Sequence, residues 1–287
     1  MKRICILLMI LVCGTAAAQT EAFEQKYRLL VSKLGPAGVG VETVLNNWEK
    51  VDSTDEKLLS AKFDYYFNKG QVTQVVTKSS KKYLGMNPVL TLKDSLGNDV
   101  YYFQEVVYDD ENYGTALQVV DKAVSLYPDK LDYRFLKANA YIAYEKESPD
   151  MALAYLLSLA KEDAARKTPW VFDGKEAEEG FFADAMQEYC YSFYTIGSSN
   201  SLEAFKTISE QMYKLNPSCY SYLNNIGSYY MVAKSDYKTA LKYYNKVLKK
   251  VPDDYTALQN SLVAYRKLGK TKQEKACRER LNSLQGK

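Results

Sequence analysis

The sequence predicts an all-α fold, an array of antiparallel helix hairpins, from two linked observations. The first is that alanine recurs at the start of helical apolar patterns, at Ala116, Ala152, Ala204, Ala240 and Ala276. The second is that the separations are 36, 52, 36 and 36 residues, so that one interval exceeds the common period by 16. Because a period in this range is typical of stacked helix pairs, the chain is predicted to be built from repeats.

The N-terminal residues 1–18 are predicted to be a secretory signal peptide. A basic start, Lys2 and Arg3, precedes the unbroken apolar run from Ile4 to Val12, and small residues end at Ala18. Nine apolar residues are too few to span a bilayer as a helix. We therefore expect cleavage after Ala18 and an exported chain, periplasmic or extracellular, with no transmembrane segment after processing.

The cysteines favour neither a lipid anchor nor a metal site. Lipidation at Cys13 is disfavoured because Val12 occupies the position directly before the cysteine. Lipoprotein signals are similar to one another in having Gly, Ala or Ser at that position. The remaining cysteines, Cys190, Cys219 and Cys277, are widely spaced and odd in number. One intramolecular disulfide is the most they could form, and buried free thiols are the favoured alternative.

Residues 19–98 are predicted to form degenerate helical repeats. Apolar residues at helical spacing predict helices over 23–33, 41–51 and 56–67. Val72, Val75, Val76 and Tyr83 also fit a helix, in spite of the β-branched side chains.

The segment near residues 88–103 is less regular. Apolar and polar residues alternate over 89–93, residues 95–98 are typical of a turn, and a second apolar stretch covers 100–103. A short β-hairpin and an extended insertion are therefore both possible. Of the two, an extended segment that enters a helix near Asp99 is favoured.

The repeats are clearest after residue 99. Ala116, Val120, Ala123 and Pro128 share their spacing with Ala240, Tyr244, Val247 and Pro252. Apolar residues at offsets of 4 and 7 lie on one helix face, and the proline ends the helix. We expect helical repeats over 99–164, an insertion loop over 165–180, and further repeats with a capping helix over 181–287.

These repeats resemble the tetratricopeptide repeat (TPR) family. Ile226 and Gly227, Tyr230, Ala240, Tyr244, Val247 and Pro252 stand where that family tends to have Leu-Gly, Tyr, Ala, an aromatic residue, Ala and Pro. Gln104 and Tyr191 depart from the pattern, because each replaces the small residue of a first helix. The resemblance implies a right-handed superhelical solenoid that binds a protein or peptide partner in a concave groove.

The composition argues against most enzyme classes. The 287 residues include no histidine, the commonest general base and metal ligand. The carboxylates at 109–111 and 253–254 are sequence neighbours at predicted helix starts, where they meet the helix dipole. No phosphate-binding loop or metal-ligand spacing is present. A net charge of +3 without clustering also disfavours nucleic acid as a partner. We predict a non-catalytic scaffold with no cofactor and no metal.

The family resemblance also places the groove. The first helix of each repeat would line it through its second, fifth, ninth and twelfth residues. Carried over onto this sequence, the candidate partner-binding residues are Asp132, Phe135, Asn139, Glu188, Ser192, Asn224, Ser228, Met231, Gln259 and Arg266. This surface is polar and mostly uncharged, so it does not resemble the family's carboxylate-binding grooves.

Two alternatives stay open. The 26 tyrosines exceed what the repeat core needs, and exposed tyrosines together with the insertion suit a glycan or another small ligand of the cell envelope. An enzyme that uses only Asp, Glu, Lys and Tyr is the other.

Overall fold

The computed structural model describes residues 2–285 and the side chains of residues 18–284. The features that carry the signal-peptide and Cys13 predictions therefore lie outside the described side chains. Twelve helices are present in the described part, and 66% of the chain is helical. The helices are α1 (Lys2–Leu34), α2 (Val41–Val51), α3 (Glu56–Lys69), α4 (Asp110–Leu126), α5 (Leu131–Glu145), α6 (Asp150–Ala165), α7 (Phe181–Ile196), α8 (Ser199–Leu215), α9 (Ser221–Val232), α10 (Tyr237–Lys250), α11 (Tyr255–Lys267) and α12 (Thr271–Gln285).

Five strands complete the described secondary structure, in a three-stranded sheet and a two-stranded hairpin. The sheet has the order β1-β3-β2, with both neighbouring pairs antiparallel. The strands are β1 (Gln71–Lys78), β2 (Leu90–Lys93), β3 (Asp99–Tyr108), β4 (Val171–Phe172) and β5 (Lys175–Glu176).

The chain divides into two compact units. The first contains the residues up to Ser79, 88–144 and 169–176, and the second contains 80–87, 145–168 and the residues from Ala177 onward. Each unit has its own apolar core. In the first, Trp48 and Leu58 centre one cluster and Tyr113 and Val120 another.

The helix predicted around residues 72–83 is wrong. Residues 71–78 form β1, which pairs with β3 from Gln71 opposite Tyr108 to Lys78 opposite Tyr101. The valines fit a helical spacing, but five β-branched residues in eight favour the extended chain, where branched side chains pack well against the neighbouring strand. On β3, Phe103 is 1% exposed, so the central strand is covered at this position.

The β-hairpin near residues 88–103 is confirmed, but a helix entered near Asp99 is wrong. β2 and β3 form the hairpin, and β3 continues to Tyr108 before Asp109 caps α4 by accepting a hydrogen bond from the Asn112 amide. Gln104, expected in a first helix, lies in this strand.

The second unit is built from helix hairpins. α7 pairs with α8, α9 with α10 and α11 with α12, and α9 also contacts α11. Asp236 and Asp254 cap α10 and α11 by accepting hydrogen bonds from backbone amides. The carboxylate pair 253–254 therefore lies at a helix start, as predicted, and Asp254 acts there as the cap.

Candidate functional site

A groove in the second unit is the candidate functional site. It has a volume of about 530 Å³ and is open to solvent. The first helices of three consecutive hairpins, α7, α9 and α11, supply all but one of its lining residues; α8 supplies the other. The lining residues are Gln187, Glu188, Tyr191, Tyr194, Phe205, Asn225, Ser228, Met231 and Asn260.

Helical spacing places these side chains on the groove. On α7, Glu188, Tyr191 and Tyr194 follow one another at intervals of three and share one face. The opposite face packs against the core through Cys190 and Phe193, which are 1% and 0% exposed. On α9, Asn225, Ser228 and Met231 repeat the same intervals.

The floor of the groove contains polar side chains that are hydrogen-bonded in two pairs, one between α7 and α9 and one between α9 and α11. The Asn225 amide donates a hydrogen bond to Oε1 of Gln187 (2.8 Å), and Gln187 in turn donates to Oγ of Ser221 (2.7 Å). The Asn260 amide donates to Oγ of Ser228 (3.3 Å). We call Gln187, Asn225, Ser228 and Asn260 the amide ladder, because they bridge α7 to α9 and α9 to α11.

The amide ladder is anchored to the core through Tyr244 of α10. Its hydroxyl lies 3.3 Å from Oγ of Ser228. Tyr244 is fully buried, and this burial raises the pKa of the phenol to about 12. The hydroxyl is therefore neutral over the physiological pH range and serves as a fixed hydrogen-bond partner.

Two tyrosine rings stand over the floor. Tyr191 is 65% exposed and Tyr194 is 37% exposed. The ring of Tyr194 packs against Phe205, with ring centroids 5.4 Å apart and an interplanar angle of 56°. This contact fixes Tyr194, whereas Tyr191 presents its ring to solvent.

The groove is slightly acidic. Glu188 is its one charged lining residue, and this carboxylate forms no ion pair within the part of the chain that the structure describes. A ligand therefore meets neutral amides, hydroxyls and aromatic rings with a single negative charge.

The structure brings three of the predicted residues together, Glu188, Ser228 and Met231. Ser192 of α7 is displaced from the lining, and Tyr191 and Tyr194 lie in it instead. The reason is a register shift of one residue, because the small buried residue of α7 is Cys190 and not Tyr191. Sγ of Cys190 lies 3.6 Å from Oγ of Ser209 in α8, a close approach that a larger side chain would prevent.

Asn224 lies within the helix packing and not in the lining. It is 5% exposed, and its amide donates to Oδ1 of Asp254 (3.0 Å), the cap of α11. Gln259 is exposed outside the groove. Arg266 donates to Glu274 (3.0 Å) and ties α11 to α12. These three predicted residues are thus structural or peripheral.

The three predicted residues of α5 lie in the first unit, where two of them contact the insertion. The backbone amide of Asp173 donates to Oδ1 of Asp132 (3.1 Å), and the ring of Phe172 lies 5.9 Å from that of Phe135. Asn139 is exposed. The predicted insertion loop is therefore the β4–β5 hairpin, and it occupies the surface predicted for a partner.

A larger cavity in the first unit, about 650 Å³, is less suited to a ligand. Both of its lysines are already paired, Lys57 with Glu24 (2.6 Å) and Lys130 with Glu56, and Asp55 caps α3. Arg28 also pairs with Glu24 (2.5 Å). Polar groups that satisfy one another in this way leave little for an incoming molecule to replace.

The three cysteines of the described segment are free thiols, and Cys190 and Cys277 are buried. The favoured alternative, buried free thiols, therefore holds for Cys190 and Cys277, whereas Cys219 is a free thiol that is only partly covered. Among the described residues, no group of three or more His, Cys, Asp or Glu side chains is placed to hold a metal ion.

No helix within the described residues has both the length and the apolar composition needed to cross a membrane. No protein-family model matches the chain, and no curated protein is significantly similar to it.

Proposed function

We propose that the chain is a non-catalytic, exported scaffold of the TPR type, a right-handed solenoid of helix hairpins that binds an extended protein or peptide segment. One observation carries the proposal: the first helices of three consecutive hairpins line a single groove, and the amide ladder joins them into one surface. A continuous surface across stacked first helices is suited to an extended chain.

The TPR assignment is supported by the packing inside the hairpin of α9 and α10. Gly227 and Tyr244, two of the residues that carry the family resemblance, are in direct contact there. A Cβ at residue 227 would lie 2.5 Å from the Tyr244 ring. A glycine in the first helix that admits an aromatic ring from the second is what the family pattern requires.

The length of the groove suits a short peptide. Packed helix axes lie about 10 Å apart, so crossing from α7 to α11 covers about 20 Å. An extended chain rises about 3.3 Å per residue, so about six residues would span the three helices. Amide side chains can both donate to and accept from a peptide backbone, which gives affinity without a fixed sequence.

The proposal is tested by selecting peptides from a random phage-displayed library on the purified protein. Synthetic versions of the selected peptides should bind the wild type and lose about tenfold or more in affinity to the double variant Tyr191→Ala, Asn225→Ala. The matched control is Lys242→Ala, Lys249→Ala, which changes two exposed residues on α10 and should leave affinity unchanged. Peptides that bind all three proteins equally would contradict the groove assignment.

A glycan is the second candidate ligand. The exposed ring of Tyr191 stands beside the amides of Gln187 and Asn225, and sugars stack on aromatic faces while their hydroxyls pair with amides. A thermal shift with a defined oligosaccharide panel tests it. A shift that Tyr191→Ala abolishes, together with no peptide binding, would replace the peptide proposal.

Export depends on residues 1–18 and has its own test. N-terminal sequencing of the protein from a cell-envelope fraction should begin at Gln19. A chain that begins at Met1 and stays in the cytosolic fraction would contradict export.

A further inference from the structure

We infer that the groove contains a subsite for a basic side chain, arginine in preference to lysine, formed by the carboxylate of Glu188 and the rings of Tyr191 and Tyr194. The inference rests on the proposed function, since it names the chemistry of the peptide that the groove would hold. Its evidence is the arrangement of charge and aromatic surface along one face of α7.

The three residues follow one another along one face of the helix. Glu188, Tyr191 and Tyr194 stand at intervals of three, so each lies about one turn from the next. Tyr191 exposes 65% of its surface. The packing of Tyr194 against Phe205 holds the second ring in place. A cation that enters from solvent would therefore meet a carboxylate at one end of this face and ring surface beyond it.

Charge favours a cation over an anion here. Glu188 is the one charged group of the lining, and no described lysine or arginine neutralises it. Two other carboxylates of the second unit are already paired, Glu203 with Lys234 (3.0 Å) and Glu274 with Arg266 (3.0 Å). The carboxylate of Glu188, in contrast, is available for a partner's cation.

The rings add a second attraction. A guanidinium or ammonium group over the face of a tyrosine is attracted by the ring quadrupole. The protein already makes such contacts, since Nζ of Lys206 and Lys234 lie 5.3 Å and 5.4 Å from the ring centroid of Tyr229. Arginine is favoured because its planar group can stack on Tyr191 while it forms two hydrogen bonds to Glu188.

The amide ladder fixes what lies next to the subsite. Gln187 and Asn225 are neutral and bonded to each other, so they offer no charge to a neighbouring peptide residue. Met231 of α9 adds apolar surface. The preferred segment is therefore a short extended peptide with one basic residue among neutral or apolar ones, and not a polybasic tract.

The experiment is the same library selection, carried out in parallel on the wild type, on Glu188→Gln and on Glu179→Gln. Glu179 is exposed and outside the groove, so the control variant removes the same charge elsewhere. We expect one position of the selected peptides to be enriched in arginine or lysine on the wild type and on Glu179→Gln, and not on Glu188→Gln.

Dissociation constants then measure how much the contact between the basic residue and Glu188 contributes to affinity. Replacing the enriched basic residue of a fluorescein-labelled peptide by glutamine should weaken binding to the wild type about fivefold to tenfold. The same replacement should weaken binding to Glu188→Gln by a clearly smaller factor, because the partner charge is already absent and only the attraction of the rings is lost.

The outcomes separate the two proposals. Peptides selected by the wild type that bind through the groove but contain no enriched basic position would overturn the subsite and leave the proposed function intact. Enrichment that persists on Glu188→Gln would also overturn it. A selection in which no peptide depends on Tyr191 and Asn225 would overturn the proposed function itself.

Discussion

The backbone of Gly227 in α9 lies directly against the ring of Tyr244 in α10. A Cβ at residue 227 would be 2.5 Å from Cε1 and 2.9 Å from Cδ1 of that ring, which is fully buried. Gly227→Ala must therefore move a ring that cannot turn away. We expect it to lower the free energy of unfolding by about 1–3 kcal/mol, measured by urea denaturation.

A matched glycine-to-alanine substitution should change the free energy of unfolding in the opposite direction. Gly114 also lies inside a helix, α4, but a Cβ there would meet nothing within 4 Å. Gly114→Ala should stabilise the protein by up to about 1 kcal/mol, because alanine is the better helix former. If both variants shifted the urea midpoint in the same direction, the close packing at Gly227 would not be the cause.

Acid should destabilise the first unit through Glu24. The Lys57 ammonium, which donates a hydrogen bond to Oε2 of Glu24 (2.6 Å), holds the pKa of that carboxyl below its usual value, and Arg28 adds to the effect. A carboxyl with a lowered folded-state pKa stabilises the protein above its unfolded pKa, near 4.5, and this contribution is lost as the pH falls through the folded value.

The measurement for Glu24 compares two proteins at two pH values. Between about pH 6 and about pH 3 the free energy of unfolding of the wild type should fall by more than that of Glu24→Gln, which has no carboxyl to protonate. Equal decreases in the two proteins would show that the ion pair between α1 and α3 does not contribute.

The described cysteines should differ in reactivity. Cys190 is buried in the core, and this burial raises its thiol pKa to about 12, so almost none is the reactive thiolate at neutral pH. Cys219 is only partly covered. With a thiol reagent under native conditions, we expect Cys219→Ser to remove a fast phase and Cys190→Ser to leave it unchanged. A fast phase that depends on Cys190 would contradict its burial.

The β4–β5 hairpin should depend on its contact with α5. The rings of Phe135 and Phe172 lie 5.9 Å apart, and the Val171 amide donates to the Asp129 carbonyl (2.9 Å). Phe135→Ala should speed amide exchange over residues 171–176 about fivefold to tenfold, because an aromatic contact contributes roughly 1 kcal/mol. Asn139→Ala, at an exposed position of the same helix, should leave that exchange unchanged.

In the first unit, helices α2 and α3 follow directly from the sequence, whereas the sheet does not. Helices over 41–51 and 56–67 were predicted within two residues, because their apolar spacing is unambiguous. Val72, Val75 and Val76 satisfy both a helical and an extended pattern. What decides between them is the pairing of β1 with β3, and the sequence of β1 alone does not contain that information.

Of the groove residues predicted in the second unit, Glu188, Ser228 and Met231 lie in the lining, whereas Ser192, Asn224, Gln259 and Arg266 do not, and in α7 the pattern is shifted by one residue. The family pattern placed a small residue at 191, where the chain has tyrosine. Cys190 takes that role one position earlier, so Tyr191 turns outward. The signal was present in the sequence, since cysteine is small and often buried, and moving the pattern by one residue places Tyr191 and Tyr194 in the groove.

The contact of the insertion with α5 could not be predicted in the same way. Asp132 and Phe135 fit the groove pattern, and nothing local shows that Phe172 and Asp173 would return to cover them. Long-range contacts of this kind depend on the folded chain and not on spacing within one repeat.

The internal bonding of the amide ladder has a kinetic consequence. Side chains that already hold one another need little reordering when a ligand arrives, so association should approach the rate of an ordinary docking encounter for every peptide that fits. Ligands would then differ mainly in how long they stay, and the residence time would record how well each one complements the rings of α7.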